Sequence, residues 1–201
     1  MSNEWDEYAE NWDVDPTVDE YAKKAFTELL DNININGLTV LDFGCGTGAL
    51  TQLLSPTVKS IIAIGPSSEM IKHLDKKTLN NVSSISDYLS HELVQNSPEL
   101  ENKFDLIVAS SVCGFLPDYE ATLSLLKSLL KKDGFFVQWD WLSNDDSSDM
   151  GLSEKRVKQA FVANGFVNTR INSPFIMSSS KGNMPVLMAV GKNAIQAVQA
   201  G

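Results

Sequence analysis

The stretch that decides the fold is Val40-Leu41-Asp42-Phe43-Gly44-Cys45-Gly46-Thr47-Gly48. An apolar run ends in an acid, and alternate glycines then lead into a helical pattern. Glycine adopts backbone angles closed to other residues and lets a ligand lie against the main chain. The start of a helix adds free N–H groups. This order of features predicts a nucleotide-binding loop, and the alternative is a tight turn that binds no ligand. Residues 44–48 are termed the glycine loop.

Outward from the glycine loop, short apolar runs alternate with helical patterns. The predicted strands are residues 39–43, 60–64, 82–85, 104–109 and 135–141. The predicted helices begin near residues 17, 66, 118 and 153, the third of them running to about residue 131. A final hairpin is predicted over residues 167–177 and 185–191. Such alternation produces a parallel sheet covered on both faces, here with an antiparallel edge.

Two kinds of cofactor fit the glycine loop. Gly44, Gly46 and Ala49 also satisfy the dinucleotide fingerprint G-x-G-x-x-G/A, which keeps an NAD(P)-dependent oxidoreductase as an alternative. A dinucleotide would place its pyrophosphate beside the like-charged Asp42. It also requires an acid or an arginine near the end of the second strand, where Gly65 stands. A cofactor that carries an amino group and a sulfonium tolerates Asp42 better, so the residues favour S-adenosylmethionine.

Residues 40–48 resemble the signature loop of class I S-adenosylmethionine-dependent methyltransferases, and the likeness extends over about residues 38–192. Segments 61–70, 103–111 and 130–136 resemble the family's second strand, its fourth strand and the turn into its fifth. The resemblance implies a Rossmann-like, doubly wound α/β fold. Its sheet would be mostly parallel and seven-stranded, in the order 3-2-1-4-5-7-6, with helices on both faces. The cofactor would be S-adenosyl-L-methionine and the product S-adenosyl-L-homocysteine.

The same resemblance implies a set of cofactor-binding residues. They are Asp42, Gly44, Cys45, Gly46, Gly48, Gly65, Pro66, Met70, Asp87, Tyr88, Ser110 and Ser111. Asp42 and the backbone of the glycine loop would hold the methionine moiety, and Met70 would pack on the adenine. Asp87 and Tyr88 would lie near the adenine amino group, and the two serines would flank the sulfonium. A core position for Met70 and a solvent-facing position for Asp87 remain the alternatives.

Gly65 departs from the family pattern, which places Asp or Glu at the end of the second strand. In the family that acid accepts hydrogen bonds from both ribose hydroxyls. Glu69, one turn into the next helix, replaces it only if that turn is rearranged. We therefore expect weak cofactor binding, and a catalytically degenerate, methyltransferase-like binding or partner subunit is a further alternative.

Aromatic residues near the N-terminus and after the fifth strand indicate where a substrate would lie. The candidate lid residues are Trp5, Tyr8, Trp12 and Tyr21, which otherwise cover the edge of the sheet. Trp139 and Asp140 end the fifth strand, at the carboxyl edge where open α/β sheets bind ligands. Trp139 is a candidate substrate contact. Asp140 is the candidate for substrate positioning or proton removal, with a solvated loop acid as the alternative.

Composition narrows the class of substrate. The 201 residues carry a formal net charge of -10 and two arginines, which disfavours a nucleic-acid partner. Residues 112–117, after the fourth strand, also lack the Asn/Asp-Pro-Pro-aromatic motif of enzymes that methylate nucleic-acid amino groups. We therefore expect a small-molecule methyl acceptor.

The expected organisation is one domain at residues 17–192, with a lid or edge-covering segment at 1–16 and a disordered tail at 193–201. No apolar run reaches the roughly 20 residues that span a bilayer. Two cysteines and two histidines show no metal-ligand spacing. We expect a cytoplasmic protein with no metal and no membrane partner.

Overall fold

The computed structural model describes residues 4–101, 104–144, 151–179 and 182–194, within which the chain forms one seven-stranded sheet. The strands are β1 (Thr39–Phe43), β2 (Ser60–Gly65), β3 (Val82–Ser86), β4 (Phe104–Ser110), β5 (Leu130–Trp141), β6 (Val167–Ser179) and β7 (Gly182–Lys192). The helices are α1 (Ala9–Trp12), α2 (Pro16–Asn32), α3 (Ala49–Leu54), α4 (Ser68–Lys76), α5 (His91–Asn96), α6 (Tyr119–Ser128) and α7 (Glu154–Ala163). None of these helices combines the length and the apolar character needed to cross a membrane.

The strands follow the order β3-β2-β1-β4-β5-β7-β6, which confirms the predicted order. The first five strands are parallel, whereas β7 runs antiparallel between β5 and β6. In this register Phe43 lies beside both Ile64 and Ala109, so β1, β2 and β4 end at about the same level. The turns after these strands therefore meet at one edge of the sheet, where open α/β sheets bind their ligands.

Helices bury both faces of the sheet. Because side chains alternate along a strand, Val40 belongs to the core beneath α2, α3 and α4, and Leu41 belongs to the core beneath α6 and α7. Both side chains are fully buried. The predicted α/β class, with helices on both faces, is confirmed.

Side-chain caps determine where the helices begin. Asp15 accepts a hydrogen bond from the Thr17 N–H at 2.9 Å, and Pro16 takes the first helical position. Helix α2 therefore begins one residue before the predicted start. Asp118 accepts from the Ala121 N–H at 2.9 Å and starts α6, as predicted.

The end of α6 differs from the prediction. The helix ends at Ser128 and not near Lys131, because Leu130 pairs with Phe104 of β4 and already begins β5. Leu130 is 2% exposed, so strand pairing gives this leucine the burial that a longer helix would also have required.

The predicted disordered tail does not begin at Asn193. The Asn193 N–H donates to the Gly134 carbonyl at 2.8 Å, and its own carbonyl accepts from the Asp133 N–H at 2.7 Å. This residue therefore belongs to the edge of the sheet. Residues 195–201 of the predicted tail lie outside the described part of the chain.

The segment before α2 contains helical structure that the sequence did not predict. A 3-10 turn at Glu4–Tyr8 leads into α1, and both elements lie against α4. Residues 4–13 are termed the N-terminal arm. Distant contacts hold the arm in place, which explains why its sequence lacks the apolar period of a helix that packs along a core.

Candidate functional site

The glycine loop leaves β1 and folds against the neighbouring strand. The N–H groups of Gly44 and Cys45 both donate to the Ile64 carbonyl, at 2.8 and 3.1 Å. The Gly48 N–H donates to the Cys45 carbonyl at 2.9 Å and closes the turn before α3. These bonds hold the loop across the carboxyl ends of β1 and β2.

The three glycines of the loop serve different contacts. All have left-handed φ angles, +72° at Gly44, +54° at Gly46 and +84° at Gly48, which strain other residues. A β-carbon placed on Gly44 would lie 2.5 Å from Val112, and one on Gly48 would lie 2.3 Å from Leu74. These two glycines therefore permit close packing. A β-carbon on Gly46 would make ordinary contact with the Trp12 indole nitrogen at 3.8 Å and the Met70 sulfur at 3.9 Å, so among the described residues side chains, and no backbone, cover Gly46.

Asp42 is a buried acid immediately before the glycine loop. It is 1% exposed, and its carboxylate accepts a hydrogen bond from the Thr51 hydroxyl of α3 at 2.5 Å. Burial raises the pKa of Asp42 to about 6, and the Thr51 bond opposes that shift. A cation beside the carboxylate would favour its ionised form, so Asp42 suits a ligand that carries an ammonium or sulfonium group.

Cys45 and Gly65 form the β2 side of the loop. Burial raises the pKa of the Cys45 thiol well above its usual range, and Asp42 raises it further, so the thiol is unreactive. A β-carbon on Gly65 would lie 3.5 Å from Cys45 Sγ and 3.9 Å from the Gly46 nitrogen, at ordinary contact distances. Gly65 therefore looks onto the glycine loop with room for a side chain.

The turn after Gly65 is not rearranged to bring an acid from α4 into the site. Pro66 leads into Ser67, whose hydroxyl caps α4 by accepting from the Met70 N–H at 3.2 Å. The Glu69 carboxylate pairs with Lys72 at 2.6 Å on the solvent side of the helix.

The predicted adenine contacts lie on the same edge of the sheet but differ in burial. Met70 is 5% exposed, and its sulfur lies 3.9 Å from the β-carbon position of Gly46. It is thus both a core residue and a neighbour of the glycine loop. Asp87 and Tyr88 are exposed and follow β3, with the Tyr88 N–H donating to the Asp87 carboxylate at 2.7 Å.

The two predicted serines lie at the end of β4. Ser110 pairs with Trp139 of β5. Ser111 has a φ of +55° and donates its N–H to the Trp139 carbonyl at 2.7 Å. This turn brings Val112 against Gly44, so the serines border the glycine loop on its β4 side.

The N-terminal arm covers the glycine loop. The Thr47 hydroxyl donates to the Asp13 carboxylate, and the Trp12 indole nitrogen lies 3.8 Å from the β-carbon position of Gly46. Trp5 packs edge-on against Trp12, at 6.2 Å between ring centroids, and against Phe115 at 5.6 Å. The arm therefore spans the mouth of the site from α4 to the turn after β4.

Two of the predicted lid residues lie apart from the loop. Tyr8 is 57% exposed and contacts Trp5 at 6.0 Å between centroids. Tyr21 is buried in α2, with its ring 5.3 Å from Trp141 and 5.6 Å from Phe175. Tyr21 thus covers the sheet beside the hairpin, which is the alternative that the sequence left open.

Asp140 is not a solvated loop acid, so that interpretation is wrong. It is 1% exposed, and it accepts hydrogen bonds from the Gly114 N–H at 2.9 Å and from Gln138 Nε2 at 3.0 Å. Tyr119 donates in turn to Gln138 Oε1 at 2.8 Å. Burial raises the pKa of Asp140 to about 7, although the Gly114, Gln138 and Cys113 donors act to lower it. Asp140 holds the Cys113–Phe115 turn against the end of β5.

Two buried polar atoms have no partner among the described residues, the Tyr21 hydroxyl and the Trp139 indole nitrogen. Both side chains belong to the core on the α2 face of the sheet. An unsatisfied buried donor costs about 1–3 kcal/mol, and native structures rarely keep one without a reason. Both residues were predicted as substrate or lid residues from the sequence.

Several polar contacts of the site were missed from the sequence. Through the folded arm Asp13 meets Thr47 across 34 residues and Asp6 meets Ser67 across 61, and local patterns carry no signal for either contact. Thr51 could have been found from the sequence. It lies in the first turn of the helix that follows the glycine loop, on the face of α3 that is buried against β1. Among the described residues, no group of three or more potential metal ligands comes together.

A second open groove lies elsewhere in the fold. Its volume is about 480 Å³, and its lining includes Phe135, Arg170 and Lys192. Phe135 lies near the start of β5 and pairs with Lys192 at the end of β7, so the groove is at the amino edge of β5. The glycine loop is at the opposite, carboxyl edge.

Comparison with known proteins identifies a family. A family profile described as "Methyltransferase domain" matches residues 15–173, which is more than half of the chain. A malonyl-[acyl-carrier protein] O-methyltransferase of Acetivibrio thermocellus is 31% identical over 130 residues, covering 63% of this chain and 44% of that protein. A mitochondrial ubiquinone biosynthesis O-methyltransferase of Bos taurus is 33% identical over 110 residues, covering 50% of this chain and 28% of that protein.

The chain spans about half the length, or less, of the curated relatives it matches. Among solved structures, a complex of DhpI with SAH superposes with a TM-score of 0.73 at 20% identity, over 96% of this chain and 94% of that one. At 20% identity this superposition shows only that the two chains share a fold, in agreement with the sheet order described above.

Proposed function

The chain belongs to the methyltransferase domain family, and on that premise we propose that it transfers a methyl group from S-adenosylmethionine to a small-molecule acceptor. The resemblance drawn from residues 40–48 is confirmed by the family match. The cofactor is S-adenosylmethionine and the product S-adenosylhomocysteine. Neither the NAD(P)-dependent oxidoreductase nor the degenerate partner subunit gains support from these matches.

The observation that best supports S-adenosylmethionine as the cofactor is the presence of Asp42 and Gly46 at the same end of β1. Among the described residues only side chains approach Gly46, and the buried carboxylate of Asp42, four residues earlier, would be stabilised by a cation. S-adenosylmethionine carries both an ammonium and a sulfonium group, whereas the pyrophosphate of a dinucleotide would be repelled by Asp42. When bound, the cofactor supplies an activated methyl group.

The protein's part in the reaction is orientation and exclusion of water. An in-line displacement needs the acceptor atom, the methyl carbon and the sulfur held in a line, and positioning alone is worth roughly 7–11 kcal/mol. The N-terminal arm closes the site to solvent. A general base is required only for an acceptor that carries a proton, and buried Asp140 is too enclosed to serve as one without movement of the Cys113–Phe115 turn.

The Trp139 indole nitrogen supports an acceptor with a hydrogen-bonding oxygen. Trp139 pairs with Ser110, so it lies beside the serines that are predicted to flank the sulfonium. Its indole nitrogen is buried without a partner among the described residues, and an oxygen of a small molecule would satisfy it. The names of the two O-methyltransferase relatives are compatible with such an acceptor.

Mass spectrometry of ligand carried through purification, followed by calorimetric titration, tests the cofactor. We expect S-adenosylmethionine or S-adenosylhomocysteine in the preparation and binding of the latter in titration. Stabilisation against heat by NAD(H) and not by S-adenosylhomocysteine would favour the oxidoreductase instead.

Release of S-adenosylhomocysteine in the presence of small carboxylates, phenols and amines tests the acceptor. With the acceptor in hand, Trp139→Phe should raise its KM while leaving the melting temperature unchanged or higher, because the indole nitrogen has no partner to lose. A lower melting temperature with an unchanged KM would make Trp139 a core residue only.

A further inference from the structure

The N-terminal arm brings a carboxylate to the place where β2 lacks one. Asp6 accepts hydrogen bonds from the Ser67 hydroxyl at 2.6 Å and from the Glu69 N–H at 3.3 Å. Ser67 is 2% exposed and stands two residues after Gly65. The Asp6 carboxylate is therefore seated at the junction of β2 and α4, beside the glycine loop.

This junction is where a nucleoside-binding fold places an acid. In such folds a carboxylate about 20 residues after the loop accepts a hydrogen bond from the ribose, and Gly65 is the residue at that position. A β-carbon on Gly65 would point at the backbone nitrogens of Cys45 and Gly46, 3.8 and 3.9 Å away. The space beside the loop is thus left open by β2 and approached by Asp6 from the arm.

Glu69 does not fill this role. Its carboxylate is bound to Lys72 at 2.6 Å, and its side chain is 47% exposed. Asp6 belongs to the arm, which also places Trp12 over Gly46 and joins Asp13 to Thr47. Three separate contacts therefore hold the arm over the loop.

We propose that Asp6 replaces the acid missing at Gly65 and accepts the ribose hydroxyls of the cofactor, so that closing the arm completes the binding site. A carboxylate offers about four acceptor positions on its two oxygens, and the bonds from Ser67 and Glu69 both go to Oδ1, so the proposal does not require either of them to break. This inference rests on the proposed cofactor. It also predicts that the weak binding expected from Gly65 is absent in the wild-type chain.

Calorimetric titration with S-adenosylhomocysteine and with its 2′,3′-dideoxy analogue tests the proposal. The wild type should prefer the natural compound by about 10-fold or more, since each hydrogen bond to a charged acceptor contributes substantially. Asp6→Ala should lose about that factor for S-adenosylhomocysteine and bind the analogue as before. Glu7→Ala is the matched control, because it removes the same charge from an exposed position of the arm and should change neither affinity.

A second variant separates the ribose contact from the position of the arm. Asp6→Ala combined with Gly65→Asp should regain both the affinity and the preference for the diol, because the new carboxylate arises beside the loop. Gly65→Asp alone should gain little, because it places a second carboxylate next to Asp6.

The outcomes distinguish this proposal from the one on which it rests. If Asp6→Ala keeps the wild-type preference for the diol, Asp6 does not contact the ribose and the proposal is overturned, while the cofactor stands. If S-adenosylhomocysteine binds none of the proteins, including the Gly65→Asp variant, the cofactor and this inference fail together. Melting curves for every variant show that lost binding does not reflect unfolding.

Discussion

Two buried carboxylates stand at the same edge of the sheet, and their surroundings differ. Asp42 ends β1 and Asp140 ends β5; each is 1% exposed, with its pKa raised to about 6 and about 7 respectively. Hydrogen-bond donors act to lower both pKa values. Among the described residues, Asp42 has one such donor, the Thr51 hydroxyl, whereas Asp140 has three. The loop after β1 lies beneath the side chains of the N-terminal arm. The turn after β4, by contrast, closes directly on Asp140.

The difference indicates how a fold separates a binding acid from a structural one. Desolvating a carboxylate is costly, so a buried acid is retained where something offsets that cost. The protein itself supplies the donors at Asp140 and so fixes a turn. At Asp42 a bound cation would supply much of that stabilisation. The ionisation of Asp42 is therefore expected to depend on whether a ligand is bound, whereas the ionisation of Asp140 is expected to depend on whether the chain is folded.

Gly46→Asp should have the largest effect on the open site. We expect binding of S-adenosylhomocysteine to fall below detection, about 100-fold or more, because a side chain would occupy the ligand space beside a second carboxylate. Gly37→Asp is the matched control, since Gly37 also has a left-handed φ of +72° and no neighbours within 4 Å, but precedes the opposite end of β1. Undiminished affinity in a folded Gly46→Asp protein would remove the loop from the binding site.

Asp42→Asn should weaken S-adenosylhomocysteine binding by about 10–100-fold at pH 8, because the ammonium group loses its counter-charge. The wild type should also lose about tenfold in affinity for each pH unit below about 6, as Asp42 takes up the proton that competes with the ligand. Calorimetry between pH 5 and 8 measures both effects. The variant should show no such pH dependence.

Asp140→Asn sharpens the same experiment, since it should keep the wild-type pH dependence of binding. If the pH dependence vanishes in Asp140→Asn and persists in Asp42→Asn, the assignment of the two acids is reversed.

Removal of residues 1–13 should affect turnover more than stability. Among the described residues of the arm, only Ala9 is buried, so the free energy of unfolding should change by less than about 2 kcal/mol. Asp15 and Pro16 remain to start α2. Loss of Trp12 and Asp6 over the loop should speed dissociation of S-adenosylhomocysteine by about tenfold, because interface losses act mainly on dissociation rates. A large drop in melting temperature with an unchanged dissociation rate would make the arm a cover for the sheet and not a lid.

The sequence predicted the regions governed by local rules and missed those governed by distant contacts. Strand β1 matches its predicted limits, because a continuous buried run and the following glycines mark it locally. The arm was missed since Asp6 meets Ser67 across 61 residues. A solvated loop acid stayed an open alternative for Asp140, because no local pattern shows that a turn 26 residues earlier will donate to it.

Asp140 also gives the smallest predicted effect, a change in how stability depends on pH. Its folded pKa of about 7 lies above the roughly 3.9 of an unfolded Asp, so between these values the folded protein holds a proton that the unfolded chain has released. The free energy of unfolding therefore falls as the pH rises, by at most about 1.4 kcal/mol per pH unit for this group. Asp42 acts in the same direction, but only up to about pH 6.

Asp140 accordingly contributes most of the change between pH 6 and 7. Urea unfolding at pH 5, 6, 7 and 8 should show the wild type losing about 1 kcal/mol between pH 6 and 7 through this group. Asp140→Asn should lose much less there, and Asp42→Asn should lose nearly as much as the wild type in that interval but have a shallower slope below it. The absolute stability of Asp140→Asn should also be lower, because an amide nitrogen would face Gln138 Nε2 in place of an acceptor; the slope is therefore the informative quantity. An unchanged slope between pH 6 and 7 in Asp140→Asn would mean that Asp140 is already ionised in the folded protein, and that the Cys113–Phe115 turn opens to solvent as readily as the glycine loop.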